Sequence, residues 1–161
     1  MIPRIEQLTE KKVIGIKLIM SLAENTTPEL WKQFMSRRKE ITNNVTNELI
    51  SMQVYSPLYF SDFKPTNTFE KRAVVEVSDF NLIPKDMDAF IIPNGLYAVF
   101  EYQGSSSDSQ IFQYIFNNWL PNSDFDLDNR PHFEVLGEKY KTASIDSEEE
   151  IWIPIKKKIT L

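Results

Sequence analysis

The sequence predicts an α+β fold built from two βαββ units related by a pseudo-twofold axis. Two observations point to it. Apolar residues recur with a period of two, then of three to four, then of two again, and this order is met twice along the chain. With 161 residues, 42% of them hydrophobic, the chain has material for a core of one domain or two small fused halves. The expected organisation is a single domain over 1–161, with half-repeats at about 1–80 and 88–158.

In the first half, Ile14, Ile16, Leu18 and Met20 alternate and predict a strand from Lys12 to Met20. Thr27-Pro28 reads as an N-cap followed by proline at the first helical position. Leu30, Trp31, Phe34 and Met35 then form the apolar stripe of a helix. Ser51 to Phe60 reads as extended, Ser61 to Thr68 as a loop, Arg72 to Val77 as a strand, and Asp79 to Asp88 as a second loop.

The second half repeats the order. Gly95 to Gln103 is a strand, with Leu96, Ala98, Phe100 and Tyr102 on one face. A Ser-rich turn follows, in which Ser107 and Gln110 could form a capping box. Ile111, Phe112, Ile115, Phe116, Trp119 and Leu120 mark a helix that Pro121 stops. Asn122 to Asn129 reads as a loop, Arg130 to Val135 as a strand, Asp146 to Glu149 as an acidic turn and Glu150 to Ile155 as a last strand. The seam between two such halves is a natural place for a ligand cleft.

Composition removes several functions. Acidic residues number 23 against 18 basic, a net charge of -5 that repels nucleic acid and favours cationic partners. There is no cysteine, so thiol catalysis, disulfides and thiolate metal sites are out, and a reducing cytoplasm fits. A single histidine excludes a multi-histidine metal centre. No apolar run approaches the ~20 residues of a membrane span, no phosphate-binding glycine loop occurs, and no cofactor motif is present. The lysines at 156–158 read as a solvated tail.

Glu134 stands out because a strand interior is a costly place for a carboxylate. It is either a rim group paired with Arg130 or a lysine, or a pocket acid. His132 shares its strand face and reads either as the second member of a proton-transfer dyad or as a strand-end group. Trp152 alternates with Ile151 and Ile153, so it faces away from them, toward a cleft or into core packing. Tyr55 occupies the corresponding region of the first half. Tyr102 and Trp119 are weaker candidates, Trp119 because it belongs to the helical stripe. With 11 Phe, 6 Tyr and 3 Trp, some rings can line a cavity rather than fill the core. Aromatic faces beside a carboxylate suit an apolar cation, and a buried acid suits proton transfer.

Four segments, in order and spacing, resemble the GyrI-like or AraC-type effector-binding domain family. They are Asn94 to Gly104, Phe116 to Ser123, Arg130 to Glu134, and Glu150 to Ile155. The first half matches in element pattern only. The resemblance implies an antiparallel sheet of duplicated units with a central ligand groove. It implies that Glu134 holds the position of the family's buried glutamate, which binds bulky lipophilic cations among aromatics in multidrug-sensing members. It also implies two alternatives. One is a hydrolase of the cyclopropane-cleaving branch with Glu134 as general base; the other is a protein–protein inhibitor module. Regulators of this family carry a helix-turn-helix domain ahead of the first strand. This sequence leaves no room for one before about residue 12, so the expectation is a stand-alone binder without direct nucleic-acid contact.

Overall fold

A computed structural model describes residues 1–104, 109–137 and 148–159. The elements in chain order are β1 (Arg4–Leu8), β2 (Lys11–Ser21), α1 (Thr27–Arg37), β3 (Leu49–Val54), β4 (Thr68–Glu76), β5 (Asp88–Ile92), β6 (Gly95–Gln103), α2 (Gln110–Tyr114), a π turn (Ile115–Trp119), α3 (Leu120–Asn122), β7 (Phe125–Leu127), β8 (His132–Leu136) and β9 (Glu148–Lys157). A short 3-10 turn, Arg38–Glu40, extends α1. The fold is α+β, a mostly antiparallel nine-stranded sheet with helices on one face. None of the described helices is long and apolar enough to cross a membrane.

The strand order is β1-β6-β9-β8-β3-β4-β2-β5, with β7 added to β9. The centre of the sheet is therefore the β3–β8 pair, one strand from each half. The two outermost strands are exchanged: β1 pairs with β6 of the second half, and β5 pairs with β2 of the first. The links that make the exchange touch, since Asn94 Oδ1 accepts a hydrogen bond from the Glu10 backbone N–H at 2.6 Å.

Side-chain alternation splits the sheet into two chemically different faces. On the face away from the helices, Leu8, Val13, Ile50, Met52, Val74, Ile92, Tyr97, Val99, Phe133 and Trp152 form one core fed by both halves. On the other face, α1 packs Leu30 and Phe34 onto Ile14, Ala73 and Val75. The α2–α3 segment packs Ile111 and Ile115 onto Ala98, Phe100, Ile151, Ile153 and Ile155. Each helix thus covers an outer pair of strands, and neither covers β3–β8.

Several expectations are corrected here. Strands β1, β5 and β7 are additional to the eight-element reading, because short edge segments carry too few alternations to register. The strand expected over Ser51–Phe60 ends at Val54, where Pro57 begins a run of turns. Thr26, not Thr27, is the N-cap of α1; its side chain makes no cap bond, and Asn25 Oδ1 accepts the Thr27 N–H instead at 3.0 Å. Met35 lies outside the buried stripe and is exposed. The second helix is interrupted by the π turn, a widening often met at functional positions. Ser107, and Asp146 of the acidic turn, lie outside the described residues; Glu148 and Glu149 belong to β9.

Candidate functional site

The uncovered β3–β8 pair carries an unusual row of side chains on its helix side. Register places Ser51 opposite Glu134, and Glu134 opposite Ile151. The next row holds Lys71 opposite Gln53 and Gln53 opposite His132. One row the other way, Leu136 stands beside Leu49, with Glu149 of β9 opposite Tyr102. An apolar stripe is thus interrupted by Ser51, Gln53, Lys71, Glu134 and Glu149 along a line between the two helices.

Glu134 is partly accessible at the floor of this groove. Burial raises its carboxyl above the usual carboxylate range, against the opposing pull of Lys71 and the adjacent Gln53 amide. Glu149 is pushed up to about 7, first by burial and then by the Glu134 charge, with Lys71 opposing. Burial lowers Lys71, while Glu134 and Glu149 favour its charged form. Two carboxylates and one ammonium therefore share one partly desolvated field. Arg130 is not the partner of Glu134: its Nε donates to Asp128 at 2.7 Å, and one terminal nitrogen donates to the Leu96 and Ile155 carbonyls.

One end of the groove is aromatic. Tyr55 meets Tyr59 at 4.5 Å between ring centroids, Phe60 at 4.9 Å, Phe69 at 5.3 Å and His132 at 4.9 Å. Phe60, from the turns after β3, stacks on both His132 and Phe116, the latter at 5.4 Å. Phe116 comes from the π turn, so this contact bridges the first half to the second helix. His132 is buried, and burial with the nearby Arg130 lowers its imidazole to about 3, leaving it neutral at ordinary pH. Burial raises the Tyr55 hydroxyl strongly, and the Glu134 charge adds to the shift, which places these two groups in the same field.

At the sheet end beyond Glu134 a surface cavity of about 630 Å³ is lined by Glu48, Glu101, Glu149, Glu150 and Tyr102, among others. Glu149 and Tyr102 belong to the helix-side face, Glu101 and Glu150 to the opposite one. Among the described residues, no cluster of histidine and carboxylate groups is arranged to hold a metal ion.

The structure gathers Glu134, His132 and Tyr55 on one face and puts Tyr102 opposite Glu149, in the wall of the acidic cavity. It does not bring Trp152 there. Phe133, not Glu134, is the register partner of Trp152, so the indole lies on the opposite face, stacked on Phe133 at 5.2 Å. The sequence reading was right that Trp152 opposes Ile151 and Ile153; the cleft is on the isoleucine side. Trp119 packs edge-on to Phe100 at 5.2 Å and against Phe125 in the core beneath the second helix. Sequence reasoning missed Lys71, Gln53, Phe60 and Phe116. A signal existed for one of them: Lys71 interrupts the apolar row of Phe69, Ala73 and Val75.

A sheet with an unhelixed central seam, floored by polar groups and walled by rings, defines an effector-binding type of domain. The chain belongs to the family of integron-associated effector-binding proteins, whose model matches residues 4–155. It is similar to the transcriptional regulator BrlR of Pseudomonas aeruginosa, 25% identical over 154 residues; the match covers 94% of this chain and 54% of BrlR, so the chain spans about half that relative's length. Its fold is similar to that of SAV2435, solved bound to tetraphenylphosphonium, with a TM-score of 0.74, 17% identity and coverage of 97% and 94% of the two chains. It is also similar to the C-terminal domain of EcmrR, with a TM-score of 0.71, 15% identity and coverage of 96% and 97%.

Proposed function

We propose that this chain is a small-molecule binding protein that takes hydrophobic cations in the groove over β3–β8. The carrying observation is Glu134: a desolvated carboxylate on a central strand pair that neither α1 nor the α2–α3 segment covers, next to a wall of aromatic rings. A flat cation would bury apolar area against Tyr55, Phe60 and Phe116 and face ring π-clouds, an electrostatic attraction. Its charge would stabilise the Glu134 carboxylate and lower a pKa that burial has raised. Rings and one charge impose little hydrogen-bond geometry, so specificity would be broad. Micromolar affinity requires only about 8 kcal/mol. That SAV2435 was solved with a lipophilic cation supports this ligand class. The relation to BrlR supports a role in reporting the ligand to transcription.

The test is calorimetric titration of tetraphenylphosphonium and of neutral triphenylphosphine oxide into wild type and Glu134→Gln. The variant should lose more than about tenfold in cation affinity, above 1.4 kcal/mol, and little for the neutral compound. Equal cation affinity in both proteins would sink the reading.

A second reading is favoured by one observation. Tyr55 shares the electrostatic field of Glu134, and a carboxylate beside a tyrosine hydroxyl can activate water for hydrolysis, as in the cyclopropane-cleaving branch. Here Glu134 would be the general base. Turnover of a cyclopropane-bearing substrate, abolished by both Glu134→Gln and Tyr55→Phe, would establish it; no turnover by wild type would remove it.

A further inference from the structure

Lys71 is the groove's unexplained charge. It interrupts the helix-side face of β4, where Phe69, Ala73 and Val75 are buried core. Its neighbours in sequence that carry charge point the other way: Glu70 pairs with Arg72 at 2.9 Å and with Lys17 at 3.7 Å on the opposite face. Among the described residues, no carboxylate lies within ion-pair distance of the Lys71 ammonium. The charges it feels are Glu134 and Glu149. Strand β3, with Ser51 and Gln53, separates Lys71 on β4 from Glu134 on β8 and Glu149 on β9, so Lys71 occupies one bank of the groove and the acids the other.

A half-buried ammonium with no ion-pair partner among the described residues gains from a group that completes it. A simple monocation entering toward Glu134 would compete with Lys71 for the carboxylates that favour its charge and add a like charge to its surroundings. A ligand with an anionic or strongly accepting group beside its cationic centre would satisfy both banks at once.

We propose that Lys71 is a specificity-determining residue of the groove, selecting hydrophobic ligands that carry a carboxylate or comparable acceptor alongside the cation. This rests on the groove reading above and narrows its ligand class to zwitterionic or strongly polarised aromatics. The cationic centre sits toward Glu134 and Glu149, and the acceptor sits toward Lys71. The lysine needs no partner from the protein because the ligand supplies one.

A rhodamine whose free carboxylate makes it a zwitterion, and the methyl ester of the same dye, differ only in that anionic group. Fluorescence anisotropy would measure both against the full chain as wild type, Lys71→Met, Lys71→Arg and Glu134→Gln. Wild type should prefer the zwitterion by about tenfold, Lys71→Arg should keep the preference, and Lys71→Met should lose or reverse it. Each preference is a ratio of two affinities on one sample, so a partly unfolded variant lowers both and leaves the ratio informative. If the ester binds and Glu134→Gln weakens it, but the ratio is the same in wild type and Lys71→Met, this inference falls and the groove reading stands. If wild type binds neither dye, both fall.

Discussion

Phe60 stacks on His132 with ring centroids 5.5 Å apart and planes only 17° apart. The contact joins a turn of the first half to the first residue of β8, and through Phe116 it continues to the π turn. The aromatic end of the groove is therefore closed by a ring from a loop. Phe60 stays 37% exposed, so it can carry ligand contact as well as packing.

Replacing Phe60 with alanine should remove these ring pairs. An aromatic pair is worth ~1 kcal/mol beyond area burial, so stability should fall by about 1–2 kcal/mol in urea unfolding. Binding of a flat cation should weaken more than that of a small aliphatic ammonium, since only the former uses the ring face.

His132 makes the fold sensitive to acid. Its folded pKa is depressed to about 3 from 6.5, so between those values the unfolded chain binds a proton that the folded one refuses. The contribution is fully present above 6.5 and is lost as pH falls toward 3. His132→Phe keeps a ring in the stack and removes the proton. Its stability, measured by thermal melting, should fall less over that range than that of wild type.

Glu149 should have the opposite sign. Its folded value is raised to about 7 from 4.5, so the folded chain holds a proton the unfolded one has released. That stabilisation is present below 4.5 and disappears as pH rises through about 7. Glu149→Gln should flatten this decline. The same ionisation adds negative charge near Glu134, so wild-type affinity for a lipophilic cation should rise as pH passes through about 7, and the variant should show a smaller rise.

Arg130 fixes the start of β8 and hence the position of Glu134. Its guanidinium donates to Leu96 and Ile155 carbonyls at 2.6 and 3.0 Å and lies 4.7 Å from the Tyr97 ring centroid. Gly95, with φ of 153°, gives it room, since a Cβ there would run into the guanidinium. Arg130→Met would leave two carbonyls and Asp128 without their donor, at a cost of about 2–4 kcal/mol in chemical denaturation.

Much of this molecule is visible in residue order. The β6 strand is found at its observed bounds because its alternation of Leu96, Ala98, Phe100 and Tyr102 is unbroken. Glu134 is conspicuous for a different reason, a carboxylate in a strand interior. Lys71 breaks the apolar row of Phe69, Ala73 and Val75, whereas Gln53 alternates regularly with Met52 and Val54 and carries no such mark. A lysine near a strand end, though, reads as a solvated side chain until the strand's true extent to Thr68 is known. Phe60 and Phe116 give no local sign, being ordinary rings in a turn and in a helical stripe.

Local periodicity is enough for the α+β class and the central elements, and the cost of a charge in a strand is enough to make Glu134 conspicuous. Which side chains share a face with it follows from the assembled sheet. Trp152 and Glu134 lie on neighbouring strands, yet a ladder register of Glu134 with Ile151 sends them to opposite sides of the sheet. A slip of one residue would have united them, and register is set by long-range strand pairing, which no local pattern records.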